Sequence, residues 1–174
     1  TFSNGAKDVI IQKVNVSLLE DKRMPKSKAE LSWKDFRGTP DTTSPYAAMI
    51  YTGIRMTYLP AKNRSKDFVE ITLTPFVNRN RSWFKDSLAT QELLDHERGH
   101  MNITKQMTRE LAEKIGSRVF REENLKQEVD SLHKLYLSLL WERQIQYDKE
   151  TNHGLEAEMQ VAWLEKLESA ISVP

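Results

Sequence analysis

The chain has 174 residues with 26 basic and 25 acidic side chains, a formal net charge of +1, four histidines and no cysteine. That length suits one domain with a continuous core, and the missing cysteine excludes a disulfide scaffold, thiolate zinc fingers, iron–sulfur clusters and cysteine catalysis. A mean hydropathy of −0.63 fits a soluble globular protein; no apolar run is long enough to cross a bilayer, and near-neutral charge offers no broad positive field for nucleic acid.

In chain order, Thr1-Phe2-Ser3-Asn4-Gly5 has neither a basic start nor an apolar stretch, so no signal peptide is expected there. The missing initiator Met suggests that the chain begins after a processed or deleted segment. Val9 to Val16 reads as a strand, and Asp21 to Lys28, charged and carrying Pro25, as a loop. Leu31 to Phe36 leads into a turn-rich stretch with Gly38, Pro40, Asp41 and Pro45. Ala48 to Leu59 predicts one long strand, with Ile54, Met56 and Tyr58 on one face and a bulge expected at Gly53. Pro60 to Asp67 is a polar connection. Phe68 to Val77 is the clearest strand: Val69, Ile71 and Leu73 share a face, and Pro75, which cannot donate to a ladder, marks a sheet edge or bulge.

Near residue 86 the period changes from two to 3.6. A helix is predicted from about Leu88 to Phe120 with Ser87 as its N-cap, its inward line being His96, His100, Ile103, Met107 and Leu111. A second follows from about Glu122 to Tyr147, and a third from Leu155 to about Ile171 after the break at Thr151-Asn152-His153-Gly154. The expected fold is one α+β domain over 1–174, with a strand-rich part at 1–86 and a helical part at 87–174, its sheet small and mostly antiparallel.

His96-Glu97-Arg98-Gly99-His100 fits the His-Glu-x-x-His pattern. Residues four apart on a helix share a face, so both imidazoles can reach one cation, with Glu97 beside it to take a proton from a metal-bound water. The composition makes the pattern an accident of roughly 1% in a chain of this length. It also lies on a predicted helix preceded by a strong strand, the order found in zinc peptidases, where a strand edge holds extended substrate.

A third ligand is needed. The longer motif that continues with Gly and His fails, because Ile103 and Gln106 occupy those positions. Glu122 and Glu123 lie at a suitable separation but at a helix start, where carboxylates are favourable for other reasons. His133 sits mid-helix among packing residues. His153, at a helix junction beside the permissive Gly154, is preferred, since three histidines and a water make a catalytic zinc site.

Taken together, Leu31-Ser32-Trp33-Lys34-Asp35-Phe36-Arg37-Gly38, Ser82-Trp83, Leu93 to His100, and Tyr147-Asp148 through Thr151 to His153-Gly154 resemble the bacterial family of predicted secreted zinc-dependent proteases. The resemblance runs from about Ala29 to Trp163. It implies a zincin-like, extracytoplasmic (periplasmic or secreted) metallopeptidase and ties His153 to the site. Where this chain has Arg98 the family often has Gln, and Phe-Asp often stands where Met101-Asn102 do; neither position is an expected ligand, so the departures bear on substrate preference.

The expected activity is therefore hydrolysis of a peptide or protein substrate, with zinc held by His96, His100 and His153. Glu97 is the expected general base, and Tyr147 a hydrogen-bond donor to the developing oxyanion. Asp148 or Asp95 would orient an imidazole. The alternative is a non-catalytic, zinc-stabilised interaction domain of the bacterial envelope, presenting Trp33, Tyr46 and Trp83.

Overall fold

A computed structural model describes residues 10–19, 31–60 and 68–172. The chain forms β1 (Ile11–Leu18), β2 (Ala48–Met49), β3 (Thr52–Leu59), β4 (Phe68–Val77), β5 (Trp83–Phe84), α1 (Gln91–Gly116), β6 (Phe120–Arg121), α2 (Leu125–Thr151) and α3 (Ala157–Ser172). The expected start of the first strand at Val9, the loop from Asp21 to Lys28, the connection after Pro60 and the reading of residues 1–5 lie outside the described residues.

The α+β class holds, but the sheet is mixed rather than mostly antiparallel. Its order is β3-β4-β1-β6, and the central pair β4–β1 is parallel, in register from Lys13↔Phe68 to Leu18↔Leu73. Parallel neighbours need a long crossover, and the chain between them, which includes β2 and β3, supplies it. β3 and β6 flank this pair antiparallel, while β2 and β5 form a separate two-stranded ribbon. β6 comes from the helical part of the chain, so the two parts share one sheet.

Pro75 costs the sheet nothing where it lies. The last partner that β1 offers β4 is Leu73, two residues earlier, so the missing N–H interrupts no bond to β1. No bulge forms at Gly53, because β3 and β4 stay in continuous register from Thr52↔Val77 to Leu59↔Glu70. Gly53 instead makes room for a ring: a Cβ there would stand 2.9 Å from Phe76 Cζ. The long strand predicted from Ala48 is broken at Ile50 and Tyr51, where the chain leaves the ribbon to join the larger sheet.

One face of the sheet packs on α1. Val69, Ile71 and Leu73 meet Ile103, Met107, Leu111 and Ile115, a helix line at four-residue steps, and all are buried. α1 starts three residues later than the sequence suggests. Ser87 falls in a short 3-10 turn at Asp86–Leu88, and the N-cap is Thr90, whose hydroxyl accepts the Leu93 amide at 3.1 Å. α2 and α3 both pack against α1 and meet at a corner where Asn152, His153 and Gly154 all have positive φ. Among the described residues, no helix is long and apolar enough to cross a membrane.

Candidate metal centre

Four-residue spacing brings His96 and His100 onto one face of α1 with their rings 4.8 Å apart. Both direct Nε2 at the same atom of α2, Asp148 Oδ1, at 3.0 Å from His96 and 2.9 Å from His100. These three residues form a group whose donor atoms all lie within 4.8 Å of one another, the arrangement that can hold a metal ion. His153, at the α2–α3 corner, brings Nδ1 to 3.5 Å from the same Asp148 oxygen, and its side chain is 44% exposed. Donors of one tetrahedral zinc ion stand about 3.3 Å apart, given metal–ligand bonds of about 2.0–2.1 Å, and the three separations bracket that value.

The other ring nitrogens face amides. His96 Nδ1 lies 3.1 Å from Gln160 Oε1, and His100 Nδ1 is hydrogen-bonded to Gln144 Oε1. With Nδ1–H donating to an amide oxygen, a neutral imidazole presents its lone pair at Nε2. Two such lone pairs and a carboxylate oxygen then converge on one point. Three acceptors repel one another unless a cation joins them, so the donor set fits a metal ion. When protons rather than a metal ion join these groups, each Nε2 carries an N–H and donates to Asp148. Burial opposes charge on both partners, yet hydrogen bonds from His100 and His96 hold the Asp148 carboxyl well below the usual carboxylate range. For His100, burial would lower the pKa, and the Asp148 carboxylate reverses this and raises it.

Glu97 is buried beside this cluster, and its Oε2 has no hydrogen-bond partner. Burial pushes its carboxyl above the ordinary value, against the opposing pull of the His100 and His96 imidazoles, with the Ile50 backbone amide also bonded to it. An orphaned carboxylate oxygen this deep is costly and calls for a water or other donor.

Tyr147 occupies a different place from the one expected. Its ring stacks on His96 at 4.8 Å, and its hydroxyl donates to the His96 carbonyl at 3.1 Å while accepting from Gln160 Nε2 at 2.6 Å. The residue is fully buried and its hydroxyl fully engaged, which removes it from the expected role of oxyanion donor. Gly99 explains how the ring fits: any Cβ at that position would collide with the Tyr147 hydroxyl. Gly154, at φ +84°, likewise lets the corner press against His96, where a Cβ would lie 3.0 Å from the His96 Cβ.

The remaining candidates lie elsewhere. His133 points Nε2 at the Ile54 carbonyl of β3, 2.8 Å away, and so ties α2 to the sheet. Glu122 and Glu123 are exposed in the turn before α2 and take no part in the cluster. Asp95 binds Arg98 Nη1 at 2.6 Å and Gln91 rather than an imidazole. Of the aromatic residues expected on a surface, Trp33 stacks on Phe84 at 4.5 Å and Trp83 is buried, while Tyr46 lies 4.7 Å from the His153 ring at the rim of the site. Sequence reasoning weighed Asp148 only as an orienting group and overlooked Gln144 and Gln160. Asp148 and Gln144 share the four-residue spacing that made the histidines visible, but they fall on one helix only because α2 runs to Thr151, past its predicted end near Tyr147.

Residues 77–154 match the family model described as bacterial protein of unknown function (DUF922). No curated protein and no solved structure matches significantly. The matched stretch runs from the end of β4 to the α2–α3 corner and contains His96, Glu97, His100, Gln144, Asp148 and His153. The match supports a family resemblance over this stretch, and its description assigns no activity.

Proposed function

We propose that this protein is a zinc-dependent hydrolase of peptide bonds. The observation that carries the reading is Glu97: a buried carboxylate with an unpartnered Oε2, next to two imidazoles whose Nε2 atoms share one acidic partner. His96, His100 and Asp148 hold the metal, and His153 stands beside Asp148 as the further donor. Zinc bound there supplies Lewis acidity toward a carbonyl and toward water. Glu97 accepts the proton of the attacking water and returns it to the leaving amine, a task for which its burial-raised pKa suits it.

The choice of a peptide bond draws support from the family resemblance. An extracytoplasmic location belongs to the same proposal.

The test is zinc content and cleavage of unstructured protein substrate, wild type against Glu97→Gln. The variant should keep its zinc while cleavage falls by about 10²–10⁴-fold. A zinc-loaded wild type without cleavage, or a variant that cleaves equally well, overturns the reading.

A further inference from the structure

We propose that Gln144 and Gln160 are positioning residues that clamp His100 and His96 as neutral Nε2 donors, and that their being amides keeps the loaded site cationic. This rests on the metal-site reading above.

Neither amide is free to turn over. Gln144 Nε2 donates to the His100 carbonyl at 3.0 Å, to Thr104 Oγ1 at 3.2 Å and to Thr52 Oγ1 at 3.3 Å, which leaves Oε1 for His100 Nδ1. Gln160 Nε2 donates to the Tyr147 hydroxyl, which leaves its Oε1 for His96 Nδ1. A flipped amide would set N–H against N–H and lose every one of those bonds.

Each glutamine therefore grips one histidine at two points. Gln144 holds the His100 ring through Oε1 and the His100 backbone carbonyl through Nε2. Gln160 holds the His96 ring the same way and reaches the His96 carbonyl through one intermediary, the Tyr147 hydroxyl. Two loops of the same design, built from different helices, fix the two ring orientations that the site needs. Gln160 is buried and Gln144 partly so, which shields both bonds from competing water.

The charge follows from the chemistry of the clamps. Histidine ligands are often backed by carboxylates, which make the imidazole more basic and add negative charge. Here both partners are neutral. Two neutral imidazoles and the single Asp148 carboxylate leave a divalent ion with a net charge of +1, with Glu97 as the nearby counter-charge.

The test uses zinc(II) and cobalt(II) alone as probes on the whole protein, with Gln144→Met, Gln160→Met, Gln144→Glu and Gln160→Glu. Zinc affinity is read by competition with a chromogenic chelator, and ring geometry by the visible absorption of the cobalt-loaded protein. Each Met variant removes the acceptor at similar volume and should weaken zinc binding by about 10–100-fold, with an altered cobalt spectrum. Each Glu variant keeps the acceptor but sets a carboxylate oxygen where the amide N–H donated, and should recover part of the affinity that the Met variant loses. Met variants with wild-type affinity and spectrum, or Glu variants as weak as the Met variants, overturn the proposal. If Gln160→Met does not fold, the partly exposed Gln144 pair decides. A wild type that binds neither ion overturns this proposal together with the metal-site reading, whereas normal wild-type binding with indifferent Met variants overturns this proposal alone.

Discussion

At Gly99, between the two histidines, a hydrogen atom stands where every other residue has carbon. The Tyr147 hydroxyl fills that space, and through it Gln160 and the His96 carbonyl are joined. Gly99→Ala should therefore act on metal binding as well as on stability. Overpacking of this kind costs about 1–3 kcal/mol, and thermal melts with and without zinc should show a lower midpoint together with a reduced zinc-dependent shift. Asp148 carries the second prediction at this scale. All three site histidines approach its Oδ1, so Asp148→Ala should abolish tight zinc binding in calorimetry, while His153→Ala, which removes the more distant and more exposed donor, should weaken it only partly. Equal losses in the two variants would make His153 the third ligand and leave Asp148 as its orienting partner.

At the scale of elements, the site is a meeting of three helices. α1 contributes His96, Glu97 and His100, α2 contributes Gln144 and Asp148, and α3 contributes Gln160. α3 reaches its place through Trp163 and Leu167, which enter the main core; the Trp163 indole also donates to Glu150 at 2.8 Å. Leu167→Ala should cost about 2–5 kcal/mol by the cavity it leaves. Because α3 carries Gln160, chemical denaturation should find the zinc affinity of the folded variant reduced as well, although residue 167 touches no ligand. The elements differ in how far the sequence discloses them. β4 and the inward line of α1 were legible because their apolar positions repeat with a single period. The break between β2 and β3 was not, since Ile50 and Tyr51 continue an apolar run and only pairing with different partners separates the strands. Parallel pairing of β1 with β4 was equally hidden, because alternation says which face is buried and nothing about which strand lies alongside.

For the whole molecule, the site ties α1 to α2 across the helical layer, so occupancy and stability are linked. Zinc at one hundred times its dissociation constant should add about 2.7 kcal/mol. In a chain of this size that corresponds to a rise of roughly 5–10 °C in the melting midpoint. Removal of metal with a chelator should reverse it, and scanning calorimetry in zinc and in chelator checks the expectation. The candidate site was legible in the sequence only as far as local geometry reaches. Four-residue spacing exposed His96 and His100, and the intervening Glu97 came with them. Asp148 and Gln144 depend on how α2 packs against α1. Gln160 stands 64 positions from the imidazole it contacts, a distance over which no periodicity carries information.

That same separation sets an order in time. As the chain emerges during synthesis, His96, Glu97 and His100 are present long before residue 160 exists, and until then the amide that meets His96 Nδ1 is missing. The motif is written early, but the centre is completed only when α3 has docked. On the proposed reading, full metal affinity waits for α3 to dock, so a half-made chain does not carry a finished centre.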